Sequence, residues 1–286
     1  MEIPFRCGNV AIAGLPNVGK STLLNSLLGR KLSITSPKPQ TTRISIKGIK
    51  TTDSYQIIYV DTPGCHVGGS RVDKLMIHET SSAVLSVDIV CLLAEPTKNK
   101  KSEMYLLLEK IAAGGIPTIL ALSKSDIYSR KELLDAADKY SGFGNFQHII
   151  PISARQGENI EKLEQLIVDS LPISQPLYTP EQITTQTDLF LTAEFIREQI
   201  FLLLHQELPY TIFVETDLIE NTDDAVQIDA TIIVSKENHK PMVLGKGGKM
   251  LKEIGTRARK ELKAHFGKNV HLNLWVKIGN TEDAYL

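Results

Sequence analysis

The sequence predicts an α/β domain with a mostly parallel sheet, followed by a smaller α+β domain. Three observations predict it. Short apolar runs alternate with helical patterns through residues 1–171, and such alternation builds a parallel sheet with helices on both faces. The stretch 172–187, PISQPLYTPEQITTQT, carries three prolines and little apolar pattern, so it reads as a linker. In residues 188–286 the alternation gives way to an apolar helix, an antiparallel pair, a basic helix and a strand of period two.

Taken in order, the buried-type strands of the first domain are residues 10–13, 57–60, 87–93, 117–122 and 148–152. Helical patterns cover 20–28, 72–84, 101–113, 130–139 and 159–171. In the second domain, 189–208 is an apolar helix pattern. Residues 211–216 and 225–234 pair around the turn signal at 220–224, and 270–278 (VHLNLWVKI) alternates as a half-exposed strand. In parallel sheets ligands sit beyond the carboxyl ends of the strands, so functional motifs should follow strands.

Composition bounds the function classes. Of 286 residues, 42% are hydrophobic and 23% charged, ordinary values for a soluble globular chain. No apolar run approaches the ~20 residues of a membrane helix. The start, MEIPFRCGNV, lacks the pattern of a signal peptide, and a cytoplasmic location is expected. The three cysteines, Cys7, Cys65 and Cys91, have no metal-type spacing and read as reduced thiols. The net charge of −1 is uneven. Residues 236–277 hold eleven Lys or Arg and three Glu, a local +8 that leaves −9 elsewhere. Such an excess suits a polyanion, although a basic run alone is often a solvated helix face.

Residues 14–21, GLPNVGKS, match G-x-x-x-x-G-K-[ST] after a strand and before a helix, the context the phosphate-binding loop requires. Gly14 and Gly19 permit close approach, and the amides of Asn17, Val18, Gly19, Lys20, Ser21 and Thr22 would surround phosphate oxygens at a helix N-terminus. Lys20 is expected on the β- and γ-phosphates, and the Ser21 hydroxyl on Mg²⁺. Asp61-Thr62-Pro63-Gly64 follows the strand 57–60. Asp61 is expected to hold Mg²⁺ through water, and Gly64 to sense the γ-phosphate through its N–H. Ser123-Lys124-Ser125-Asp126 follows 117–122. A carboxylate there accepts from guanine N1–H and the 2-amino group, a donor pair that adenine lacks. The backbone of Ser153-Ala154, after the strand 148–152, can meet the base oxygen.

Residues 243–259, VLGKGGKMLKEIGTRAR, contain Gly245-Lys246-Gly247-Gly248, which fits the GXXG loop of a KH module. Glycines let an RNA backbone approach, and Lys246, Lys249 and Lys252 offer charge to phosphates. Leu251, Ile254, Ala258 and Leu262 recur at helical spacing as a core face. Trp275 is assigned to the core face of the last strand, with base stacking by Trp275 or His271 the lesser alternative.

GLPNVGKSTLLNSLLG, PQTTR, DTPG and the C-terminal segment together resemble the Era family of GTPases over nearly the whole chain. The resemblance implies a P-loop GTPase domain followed by an α+β type II KH domain. It also implies slow hydrolysis of GTP to GDP, binding of small-subunit ribosomal RNA near its 3′ end, and help in small-subunit assembly. Lys20, Thr42 and Gly64 would serve hydrolysis, with Thr42 reaching Mg²⁺ and the γ-phosphate from a first switch at 31–43. Residues 36–39 would order only with GTP. Peripheral association with the inner face of the cell membrane rests on the resemblance alone, and the chain is expected to be a monomer.

Two features depart from common patterns. SKSD replaces NKxD, and Ser123 is shorter than the usual Asn, so weaker affinity with retained guanine preference is expected. Cys65 occupies the place of the water-orienting Gln of Ras-like enzymes, and neighbouring His66 is no obvious substitute. The family, which also lacks that Gln, resembles GTPases that use K⁺, with Asn17 here as a ligand; a loop brace is the equal alternative for Asn17. The rival function is an RNA-binding scaffold with a weakened nucleotide site. A partner of an RNA-modifying enzyme is a further alternative, for which no catalytic constellation is visible.

Overall fold

The computed structural model describes residues 4–38, 41–42, 44–64, 84–96, 101–204 and 211–279. The chain forms two compact units, 1–185 and 186–286.

In the first unit the parallel strands are β1 (Arg6–Gly14), β3 (Tyr55–Asp61), β4 (Ile89–Ala94), β5 (Thr118–Leu122) and β6 (His148–Pro151). One antiparallel edge strand, β2 (Ile46–Thr51), completes the order β2-β3-β1-β4-β5-β6. Helices α1 (Lys20–Leu28), α2 (Lys101–Gly114), α3 (Arg130–Ser141) and α4 (Ile160–Ser170) follow the expected alternation. Most of the helical pattern at 72–84 lies outside the described residues. Val10, Ala11, Ile12, Ala13, Val90 and Cys91 are fully buried, as strands covered on both faces should be. Burial pushes the Cys91 thiol up to about 12 and raises that of Cys7 as well, so neither is a ready nucleophile. Parallel register aligns the functional ends: Ile12 lies opposite Asp61, Gly14 opposite Leu93 and Leu122 opposite Pro151.

The stretch 172–187 differs from the expected linker over most of its length. Cys7 N–H donates to Pro172 O at 3.2 Å, Ser174 N–H to Phe5 O at 3.2 Å, and Ile49 N–H to Ile183 O at 2.8 Å. Gln56, fully buried on β3, accepts from Leu177 N–H at 2.7 Å and Tyr178 N–H at 3.0 Å and donates to Tyr178 O at 2.8 Å. Thr184 Oγ1 donates to Lys47 O at 2.6 Å. Residues 172–184 are thus a strap on the β1, β2 and β3 strands, held mainly through backbone groups, which a polar composition does not reveal.

The second unit runs α5 (Asp188–Leu203), β7 (Ile212–Asn221), β8 (Ala225–Val234), α6 (His239–Leu244), α7 (Lys249–Phe266) and β9 (Asn269–Ile278). Its sheet is ordered β7-β8-β9, antiparallel in the first pair and parallel in the second. Joining parallel neighbours demands a crossover, and α6 and α7 supply it. Ile254, Ala258 and Leu262 on α7 are fully buried, whereas Leu251 is half-buried. Trp275 corrects the sequence reading. It is 50% exposed and shares the outer parity of β9 with His271, Asn273 and Lys277; Val270, Leu272, Leu274 and Val276 take the inner one. No helix among the described residues is long and apolar enough to cross a membrane.

Candidate functional site

β1 runs into the phosphate loop at Gly14, whose φ of 151° and surroundings both require glycine. A Cβ there would stand 2.5 Å from Leu93 O. Asn17 and Gly19 take left-handed torsions, φ 63° and 103°. Gly19 caps α1 without any side-chain acceptor for its first N–H groups, which leaves those donors for an anion. Lys20 folds back over the loop, 7% exposed, its ammonium donating to Gly14 O at 3.1 Å and Leu15 O at 3.0 Å. Gly64 packs against the loop from β3's end, where a Cβ would lie 2.9 Å from Pro16 Cα. Cys65 and His66 fall outside the described residues, as do Pro39, Gln40 and Arg43 of the PQTTR motif.

Asp61, at the carboxyl end of β3, is fully buried. Ser21 Oγ donates to its Oδ2 at 2.7 Å and Ser33 Oγ does the same at 2.7 Å. Thr42 Oγ1 lies 2.9 Å from Ser21 Oγ and 3.5 Å from Asp61 Oδ2. Burial raises the Asp61 carboxyl, opposed by the Ser33 hydrogen bond, the Lys20 charge and the Ser21 and Thr42 hydroxyls. Its Oδ1 is buried with no hydrogen-bond partner. An orphaned anionic oxygen beside two hydroxyls fits a hard divalent cation, so Ser21, Thr42 and Asp61 suit Mg²⁺. Thr41 instead donates to Lys38 O at 2.8 Å. Asn17 Nδ2 donates to Pro37 O at 3.1 Å, so its amide oxygen is the group left for a cation such as K⁺.

Beside the loop lies a cleft of about 260 Å³ lined by Val18, Gly19, Thr22, Ser123, Lys124, Asp126, Ser153 and Ala154, together with Leu93, Ile127, Ile152 and Arg155. The sequence reading placed the first eight at the nucleotide; the apolar wall and Arg155 carried no motif that could have found them. Asp126 sits exposed in a single 3₁₀ turn, Ser125–Ile127. Two carboxylates brace this rim, Glu95 buried and Glu158 exposed. Glu95 accepts from Lys124 Nζ at 3.0 Å and Tyr128 OH at 2.8 Å, and Glu158 accepts from Ser125 Oγ at 2.6 Å. The Ser123 N–H and hydroxyl both go to Ala94 O, at 2.8 and 3.3 Å, so Ser123 ties β5 to β4.

In the second unit, Gly245, Lys246, Gly247 and Gly248 form the sharp connection between α6 and α7. All three glycines have positive φ, 71°, 61° and 76°. Lys246, Lys249 and Lys252 are exposed around this turn, next to the uncapped N-terminus of α7.

Comparison with known proteins matches this arrangement. Residues 9–124 match the family described as 50S ribosome-binding GTPase, and residues 207–283 match the KH domain family. The chain is 43% identical over 277 residues to GTPase Era of Coxiella burnetii, covering 96% of this chain and 93% of that one. A solved structure of an Aquifex aeolicus Era variant bound to GDP·AlF4⁻ superposes with a TM-score of 0.92 at 35% identity, over 98% of this chain and 97% of that one. A structure of Era in complex with MgGDPNP and nucleotides 1506–1542 of 16S ribosomal RNA gives a TM-score of 0.91 at 36% identity, with the same coverage. A P-loop GTPase domain followed by a KH domain, at this identity over nearly the whole length, places the chain in the Era family of GTPases.

Proposed function

We propose that the protein binds and hydrolyses GTP with Mg²⁺ and binds small-subunit ribosomal RNA through its KH unit, assisting assembly of that subunit. The observation that carries the nucleotide half is the convergence of Lys20, Ser21, Thr42 and Asp61 beside a cleft that presents Asp126. The complexes of its relatives with GDP·AlF4⁻ and with MgGDPNP plus 16S ribosomal RNA support the same reading.

In this reading the α1 N-terminus and the loop amides bind the phosphates, and Lys20 exchanges its loop carbonyls for β- and γ-phosphate oxygens. Ser21, Thr42 and Asp61 hold Mg²⁺, which neutralises charge developing on the phosphates. Gly64 presents its N–H to the γ-phosphate. Ser123 and Lys124 set the rim, Asp126 pairs with the guanine edge, and the Ser153 and Ala154 backbone meets the base oxygen. Lys246, Lys249 and Lys252 with the GXXG glycines receive the RNA backbone. A scaffold with a weakened site would need no such intact cluster. Phosphate release from GTP by the purified chain, dependent on Mg²⁺, is the deciding assay, and no release above buffer would favour the scaffold.

Two further outcomes are expected. Asp126→Asn should shift preference from GTP toward XTP, because Asn offers a donor where xanthine has an oxygen; competition binding that retains the original GTP preference would show that Asp126 does not read the base. Hydrolysis should run much faster in K⁺ than in Na⁺, by up to about the 10²–10³-fold that one preorganised electrostatic contact supplies. Asn17→Ala should remove the difference. Equal rates in the two salts would leave Asn17 as the brace of Pro37 alone.

A further inference from the structure

Three hydroxyls face Asp61 Oδ2; Thr42 stands off at 3.5 Å, and of the two short contacts only that of Ser21 comes from the phosphate loop. Ser33 Oγ donates to Asp61 Oδ2 at 2.7 Å from a residue with no exposure at all, between the equally buried Leu32 and Ile34. Its position is dictated by Asn25 on α1. Asn25 Oδ1 accepts from Leu32 N–H at 2.8 Å and Ser33 N–H at 2.9 Å, and its Nδ2 donates to Ser33 O at 2.7 Å. Ser21 and Asn25 are four residues apart, on one face of α1. One helix face therefore holds the same carboxylate twice, directly through Ser21 and indirectly through Asn25 and Ser33.

The Ser21 and Ser33 hydroxyls converge on Oδ2 at 2.7 Å each, with Thr42 beyond them at 3.5 Å, while Oδ1 stays without a partner. A carboxylate with donors from two separate segments on one oxygen cannot turn about its Cβ–Cγ bond without breaking both. We infer that Ser33, held by Asn25, is a positioning residue that fixes the Asp61 carboxylate with Oδ1 presented to Mg²⁺. This rests on the reading of Asp61 as part of the metal site. A buried serine could merely be satisfying its own hydroxyl. That alternative predicts a change in stability but none in metal dependence.

The test uses the full chain and a fluorescent GDP analogue, whose release is followed over a series of free Mg²⁺ concentrations. Groups that orient a metal's ligands typically change metal affinity about 10–100-fold when removed. Ser33→Ala should therefore raise the Mg²⁺ concentration that half-maximally slows release by about 10-fold, with release in EDTA unchanged. Asn25→Ala should give a similar shift, and the double variant no more than the larger single one, since both act through one contact. An unchanged Mg²⁺ midpoint in Ser33→Ala, with Asp61→Asn shifted, overturns the inference and leaves the metal reading standing. An unchanged midpoint in Asp61→Asn overturns the metal reading and the inference with it. Release accelerated equally in EDTA and Mg²⁺ would mean that Ser33 only supports the fold, which also overturns it.

Discussion

Lys20→Ala should abolish productive nucleotide binding in a protein that still folds. The ammonium is already largely removed from water, 7% exposed, and is held at the loop by two carbonyls. Moving it onto phosphate oxygens exchanges neutral acceptors for anionic ones at little further desolvation. Two hydrogen bonds to charged groups, at about 1.5–3 kcal/mol each, correspond to at least about 100-fold in Kd. In the native fold the same side chain bridges Gly14 O and Leu15 O, neutral acceptors whose loss should cost about 1–2 kcal/mol of stability. Calorimetric titration with GTP, alongside a thermal melt, separates the two effects. A folded variant with unchanged GTP affinity would overturn the placement of Lys20 on the phosphates.

The parallel strands and the motifs at their ends were legible because local pattern and tertiary role coincide there. A strand buried on both faces is an apolar run, and a tight phosphate turn needs glycines, as the φ of Gly14 and the 2.5 Å approach to Leu93 O show. What escaped depends on partners distant in sequence. β2 reads IKGIKT, which looks polar, yet Lys50 is paired with Glu164 at 2.7 Å and Leu27 O at 3.0 Å. Gln56 is a lone amide in an apolar strand, and its hold on the strap spans more than 120 residues. Ser33 lies in a segment with no period, and only Asn25 and Asp61 give it meaning. Trp275 is a different case. The period-two alternation of VHLNLWVKI already puts it on the parity of His271, Asn273 and Lys277, opposite to the core face assigned to it from the sequence.

The RNA half of the proposal turns on Gly245–Gly248, and the double variant Lys246→Asp, Gly247→Asp should lose RNA while keeping GTP hydrolysis. The choice of glycine matters. A Cβ at Gly245 would fall 2.6 Å from Met250 Cβ, whereas one at Gly247 meets nothing within 4 Å. Gly247 has φ 61°, a left-handed torsion that Asp visits at a cost of about 1–2 kcal/mol, so the unit should remain folded. The two changes shift the loop's charge by three units. At about 1 kcal/mol per charge near a phosphate in water, that is roughly 3 kcal/mol, or about 100-fold in affinity. Wild-type binding should also fall steeply with salt, linearly in log–log form, as phosphate contacts demand, and the variant's slope should be shallower. The nucleotide residues all lie in the other compact unit, so phosphate release measured on the same preparations should be unchanged, and a thermal melt checks that the substituted unit stays folded. Filter binding with a single-stranded fragment from the 3′ end of small-subunit ribosomal RNA completes the test. Undiminished affinity in the double variant would reduce the basic turn to a solvated surface and remove the KH loop from the proposed RNA site.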